Sequence, residues 1–286
     1  MVHRSLALSQ CATLACLFEA MASKPGNVHR GADFEDLTFA DLATSAVAIG
    51  PAFDELAGGR AGRLVLAAVE ATRALVSTNT NLGMLLLMAP LAAVPRDEAL
   101  SAGIAAVLDR LDADDARQVY EAIRLAKPGG LGRVEKHDLS GPPPGDLLVA
   151  MRAAADRDLV ARQYANGFAE VLGVTLPLLG AGQQRGWSLN DTIIHAHLTV
   201  MSQYPDSLIA RKCGAAVAEE AAAYAAQVLR SGAPGEEAYH EALADLDFWL
   251  RGDGHRRNPG TTADLIAAGL FAALREGIIE LPVRFY

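Results

Sequence analysis

Apolar residues recur along this chain at helical spacing, and polar loops interrupt them. Leu6, Cys11, Leu14, Leu17, Phe18 and Met21 fall roughly on one helical face. Thr38 is placed to cap a helix from Phe39 toward Ile49, with Asp41 in its first turn. Gly58-Gly59 and Gly62 loosen the chain before a helix from Leu64 to Val76. Asn79-Thr80-Asn81 then opens the segment Leu82–Ala93, which is apolar on every side and reads as a buried central helix. The pattern predicts further helices over 101–111, from a cap at Asp112-Ala113-Asp114-Asp115 to Ala126, and over 146–155, 158–172, 174–184, 190–203, 207–229, 236–251 and 261–276. Lys127 to Gly145, with five glycines and four prolines, is the longest irregular stretch, and a loop of this length is often functional. β-Branched residues are sparse and no strand-like alternation persists. No repeat of 20–50 residues is present. The expected architecture is all-α: one compact multi-helix domain over residues 1–286, with a central apolar helix and a cleft lined by polar interhelical loops.

Composition narrows the partners. Of 286 residues, 51% are hydrophobic and 21% charged, enough for a sizeable core. A net charge of −9 argues against a nucleic-acid surface, which is normally basic. The longest apolar run, Leu82 to Val94, is shorter than the roughly 20 residues a membrane helix needs. The N-terminal stretch is diluted by Ser9, Gln10, Thr13 and Glu19, so it reads as a first amphipathic helix and not a signal peptide. Cys11, Cys16 and Cys213 are odd in number and lack metal-ligand spacing. They read as buried small residues of a reducing cytoplasm. A small-molecule nucleotide or cofactor precursor is the expected partner, with a homodimer as an open option.

Four polar loops carry more charge than simple turns need. The first, Ser23 to Phe39, holds two glycines, a proline and six ionisable side chains. Lys24, His29 and Arg30 suit phosphates. Asp33, Glu35 and Asp36 suit Mg²⁺, which prefers oxygen ligands and shares them with substrate phosphates; helix-start capping by the acids is the competing reading. In the second, Asn79 and Asn81 with Gly83 sit at a helix N-terminus open to anions, or serve only as caps. In the third, Arg211 and Lys212 follow an N-cap at Asp206 and present either a ligand cleft or a solvated basic face. The fourth, Asp253 to Leu265, turns at Asn258-Pro259-Gly260 and puts Asp264 in the first turn of an otherwise apolar helix. His195 and His197, at i, i+2 on an apolar helix, do not share a face and read as core or cleft residues.

In order, these segments resemble the triphosphoribosyl-dephospho-CoA synthase family. Lys24-Pro25-Gly26-Asn27-Val28 with Gly31-Ala32, then Phe39 and Ser45, is similar to its first block. Asn79-Thr80-Asn81-Leu82-Gly83 stands where the family has Asn-Thr-His-Lys-Gly. Asp206 to Gly214 resembles its Asp…Leu-Val-Ser-Arg-Gly-Gly block, and Asn258 to Leu265 its Ser-Pro-Gly-Gly-Ser-Ala-Asp-Leu-Leu block. The resemblance implies a helical fold and transfer of the triphosphoribosyl group of ATP to 3′-dephospho-CoA, with adenine released. This chain departs from the pattern at Asn81-Leu82 and at Asp33, which replaces a histidine. Lys127 to Asp138 and Arg157 to Tyr164 look like a divergent branch found in archaea and one-carbon-metabolising bacteria.

Transfer of a ribosyl group from ATP or a related donor to an alcohol needs a base, phosphate neutralisation by Mg²⁺, and negative charge near an oxocarbenium-like centre. Asp36, Asp264 and Glu35 are the catalytic candidates. Two alternatives stand beside this reading. One is ribosyl-phosphate transfer in tetrahydromethanopterin-type cofactor synthesis. The other is a non-catalytic helical nucleotide-binding or scaffold protein.

Overall fold

The computed structural model describes residues 6–129, 139 and 141–286. Most of the expected irregular stretch Lys127 to Gly145 lies outside the described residues, including Asp138. The chain forms α1 (Leu8–Met21), α2 (Phe39–Ala48), α3 (Gly50–Leu56), α4 (Ala61–Arg73), α5 (Leu82–Ala92), α6 (Leu100–Asp109), α7 (Ala113–Ala126), α8 (Leu147–Ala154) and α9 (Leu159–Asn166). A π-helical turn at Val171–Thr175 leads into α10 (Leu176–Gln184) and α11 (Leu189–Gln203). The chain ends with α12 (Ser207–Cys213), α13 (Ala215–Ser231), α14 (Glu237–Arg251) and α15 (Gly260–Arg275). Among the described residues there is no strand, only an isolated bridge between His29 and Ala32. The fold is all-α, as the hydrophobic pattern predicts.

The apolar Leu82–Ala92 helix is the predicted central element. Leu85, Leu87, Met88, Leu91 and Ala92 are fully enclosed, and α5 packs against α4, α15, α6, α7, α9 and α1. Helix α15 is its counterpart: every residue from Leu265 to Leu274 is buried. Such helices cannot face water on any side, so the others wrap them. α11 carries two apolar faces. Leu189, Ile193, Ala196 and Val200 join the main core. Ile194, Leu198 and Met201 join a second cluster with α12, α13 and α14. No helix among the described residues is long and apolar enough to cross a membrane. Cys11 and Cys16 are buried free thiols, whereas Cys213 is half-exposed.

Predicted caps recur as geometry. The Thr38 hydroxyl accepts from the Asp41 N–H at 3.2 Å, and Asp41 accepts from the Thr38 N–H at 2.9 Å, closing a capping box. Asp112 caps α7 through the N–H groups of Asp114 and Asp115. Two predicted helices are interrupted. The 207–229 helix breaks at Gly214, whose φ of +97° a side chain disfavours, giving α12 and α13. The 158–172 helix stops at Asn166, because Gly167 and Phe168 both take positive φ. The short α3 after Ile49 was not expected from the pattern; Pro51 sits in its first turn, where a proline is tolerated.

Asp206 joins two helix starts that frame the cavity. It is fully buried. One carboxylate oxygen accepts from the Leu208 and Ile209 N–H groups at 2.8 and 3.0 Å, capping α12. The other accepts from the Thr262 N–H at 2.7 Å and the Thr262 hydroxyl at 2.8 Å, in the first turn of α15. Ser207 adds a bond to Thr261 at 3.1 Å and accepts from the Leu159 N–H at 3.2 Å. The starts of α9, α12 and α15 are thereby stapled together. Asp206→Ala leaves buried N–H groups without acceptors, so urea unfolding should show a loss of about 3 kcal/mol. A loss below about 0.5 kcal/mol, the range of an ordinary surface change, would mean the helices dock without it.

Candidate active site

A cavity of about 650 Å³ opens where the N-terminal ends of α5, α9, α12 and α15 meet one side of α8. This is the size of a site for a nucleotide-scale ligand. All four polar loops reach it. Phe34 and Asp36 come from the first, Thr78 to Gly83 from the second, Leu208, Arg211 and Lys212 from the third, and Gly254 to Asp264 supply much of the fourth wall. The cleft predicted from dispersed loops is therefore a single feature of the fold. Lys127, Gly129, Arg157 and Asp158 line it as well.

Asp264 occupies an unusual seat. Its carboxyl group lies against α5 at Gly83, so closely that a Cβ on residue 83 would stand 2.0 Å from Asp264 Oδ2. Only glycine admits this carboxyl. Burial pushes the Asp264 carboxyl well above the usual carboxylate range. The carboxylates of Glu19, Asp206 and Asp158 push it the same way, and Arg211 makes the smaller opposing contribution. Asp264 therefore keeps its proton to higher pH than an ordinary carboxyl does.

Beside it, Arg211 donates to Asp158 Oδ2 at 2.5 Å, while the other Asp158 oxygen caps α9 through the Val160 and Ala161 N–H groups. The Arg211 side chain is about one-quarter exposed, and its Nε is buried without a partner among the described residues. Together with Lys127, Arg157, Lys212 and Arg256, it makes one region of the wall cationic. The starts of α5 and α15 add the positive ends of their dipoles.

The signature loop divides into parts. Its backbone is clamped onto α14, where the Gly26 N–H donates to Asp247 at 2.7 Å and Arg251 donates to the Asn27 carbonyl at 2.6 Å; the Asn27 side-chain amide donates to Asn258, in the turn before α15, at 2.7 Å. Phe34 stacks on His255 at 3.8 Å between ring centroids. Of the candidate residues, Asp36, Asn79, Asn81, Arg211, Lys212 and Asp264 line the cavity; Lys24, His29, Arg30, Asp33 and Glu35 are not in its wall.

Each of these five has a visible environment. Lys24 is fully buried and pairs with Glu19 at 2.9 Å, which directs its ammonium into the protein instead of toward a phosphate. His29 is pushed below its ordinary value by burial, with Arg251 and Lys24 adding to the effect, which favours its neutral form. Arg30 sits over the Tyr286 ring at 4.5 Å. Asp33 accepts from the Phe39 N–H at 2.7 Å, a helix-start contact, and Glu35 is exposed. The expected oxygen cluster of Asp33, Glu35 and Asp36 is not assembled: among the described residues no group of three or more His, Cys, Asp or Glu side chains is placed to hold a metal ion. The asparagines are partly structural, with Asn79 accepting from the Leu82 N–H at 3.3 Å and Asn81 donating to Thr72 at 3.1 Å.

Glu19, Asp158 and the Phe34–His255 stack were not singled out by sequence. A signal for Glu19 existed: it is a lone acid beside apolar residues near the end of a buried helix, five positions before a lysine.

The family model for the ATP:dephospho-CoA triphosphoribosyl transferases (CitG) matches residues 5–282. The chain belongs to this family. A crystal structure of a proposed triphosphoribosyl-dephospho-CoA synthase from Archaeoglobus fulgidus is similar to it, with 29% identity and a TM-score of 0.64, covering 82% of this chain and 99% of that one. Among curated proteins none matches. Membership makes this chain a transferase of the triphosphoribosyl-dephospho-CoA synthase type, with ATP as the family's donor.

The raised Asp264 carboxyl has a consequence for stability. A carboxyl raised in the folded state favours folding while protonated, and that advantage is lost as pH climbs from the unfolded carboxylate value of about 3.9 through the higher folded one. Asp264→Asn keeps a neutral group there at every pH. Its melting temperature relative to the unsubstituted protein should therefore rise between pH 5 and pH 9. A difference independent of pH would show that Asp264 is ionised throughout.

Proposed function

We propose that this protein transfers the triphosphoribosyl group of ATP to an alcohol of a dephospho-CoA-type acceptor, releasing adenine. The observation that carries the reading is the placement of Asp264, seated against Gly83 with its carboxyl raised, in a nucleotide-sized cavity whose wall also bears Arg211 and Lys212. Family membership supplies the donor and acceptor classes.

The chemistry follows from the groups present. Cations on the wall and helix N-termini hold the triphosphate. The acceptor oxygen attacks C1′ of the ATP ribose on the face opposite the base, and the C1′–N9 bond breaks with its electron pair leaving on adenine. Asp264 gives its proton to an adenine ring nitrogen, which makes the base a neutral leaving group. The hydroxyl proton of the acceptor passes to Asp36, an exposed carboxylate on the same wall. One proton is given and one taken, and the anomeric configuration inverts. Asp264, once ionised, and Asp158 place negative charge near the developing oxocarbenium-like centre. In this reading Mg²⁺ enters as part of the MgATP substrate, offsetting the charge of the triphosphate.

Adenine release from MgATP, followed with dephospho-CoA and with ribitol-containing acceptors, tests the proposal. Dephospho-CoA should support turnover, and EDTA should stop it. Turnover only with a ribitol acceptor would move the function to tetrahydromethanopterin-type cofactor synthesis. ATP binding without turnover across the panel would favour a binding protein. Asp264→Asn should lower kcat by about 10²–10⁴-fold, the usual contribution of a positioned proton donor; a loss below about tenfold, or 1.4 kcal/mol, would make Asp264 only a helix-start residue. Arg211→Ala should raise the KM for ATP, costing about 1.5–3 kcal/mol for a charge-assisted phosphate contact.

A further inference from the structure

Lys24 and Glu19 form a buried ion pair behind the cavity wall. The Lys24 ammonium contacts Glu19 Oε1 at 2.9 Å, the Ala22 carbonyl at 3.3 Å and the Glu19 carbonyl. All three donors are used within the end of α1 and the turn after it. Neither residue exposes more than a few per cent of its surface, yet Glu19 lines the cavity and Lys24 does not. The pair thus presents only its anionic end to the site. A buried ion pair is a weak source of stability, because desolvation offsets most of its attraction. Its placement needs another reason.

Asp264 lines the same cavity as Glu19. α1 packs directly on α15, and Cys16, one helical turn before Glu19, has its thiol raised by burial and then by both Glu19 and Asp264. The two carboxyl groups therefore share one neighbourhood. Charged groups facing Asp264 come from each adjoining element: Glu19 from α1, Asp158 at the start of α9, and Asp206 and Arg211 from α12. α5 contributes only the uncharged Gly83 seat. Asp158 is occupied by Arg211 and by α9. Asp206 spends its lone pairs on Leu208, Ile209 and Thr262. Among the described residues Glu19 is the carboxylate that is both buried and open toward the cavity.

We propose that Glu19, held in place by Lys24, is a positioning residue whose fixed negative charge keeps the Asp264 proton in place until the leaving base takes it. Lys24 acts one step further away, anchoring Glu19 instead of meeting substrate. The inference deepens the proposed reaction and rests on it for its catalytic meaning, but the electrostatic link stands in the free protein.

The test uses both. Carbon-13 labelling of aspartate side chains, with Asp264 assigned by its loss in Asp264→Asn, reads its titration without substrate. Glu19→Gln should move that titration to lower pH by about one unit or more, the usual scale for like-charged carboxyls sharing a site. The limb of the kcat–pH profile on which Asp264 must stay protonated should move by the same amount. Should Glu19→Gln leave Lys24 unpaired and the protein unfolded, the double variant Glu19→Gln, Lys24→Met removes both charges together, and buried pairs tolerate such replacement. It should show a shift of the same sign and smaller size. An unchanged Asp264 titration in a folded variant overturns the inference. A shifted titration in a protein that releases no adenine would uphold the link and overturn the proposed reaction.

Discussion

Asp264 reaches the cavity because residue 83 has no side chain. A carboxyl group 2.0 Å from where a Cβ would stand fixes how closely the start of α15 can approach α5, and both helices are apolar almost throughout. Two of the most enclosed helices among the described residues thus meet at a polar contact. Around that contact the remaining helices solve an ordinary problem, covering apolar surface.

The position has an energetic character. An acid set among other carboxylates holds its proton more tightly than a solvated one, because ionising it would cost both desolvation and repulsion. The same arrangement that is unfavourable for an ionised side chain is useful for a proton donor, a frequent reason for perturbed groups to collect in clefts. Asp206 shows the contrast. It is the more completely buried of the two, and burial raises its carboxyl as well, but four donors converge on it and oppose that shift while joining two helix starts. Two acids near the same helix N-terminus therefore differ in role because their hydrogen-bond partners differ.

The cationic groups divide similarly. Arg211 and Lys212 face the cavity, whereas Lys24, in the most recognisable stretch of the chain, is turned inward onto Glu19. The signature loop serves mainly as a clamp to α14 and as the carrier of Phe34 and Asp36. Asp33 accepts from the backbone of Phe39 and Asp36 lines the cavity, and the three-carboxylate cluster expected from their spacing is not assembled among the described residues.

Helical content, the central helix and the capping residues Thr38, Asp112 and Asp206 were legible in the sequence, because periodicity and caps are local and report on neighbours three or four positions away. The order of the four polar loops was legible too, and with it the family. Tertiary structure decided everything that depends on contacts across long separations. It turned Lys24 inward, seated Asp264 on Gly83 some 180 positions earlier, and brought Glu19 and Asp158 to the same wall. It also broke the 207–229 helix at Gly214, a residue whose tolerance for positive φ is visible in sequence but whose use of it is not. Burial and charge at a site are sums over segments distant in the chain, and such sums exist only once the helices have packed.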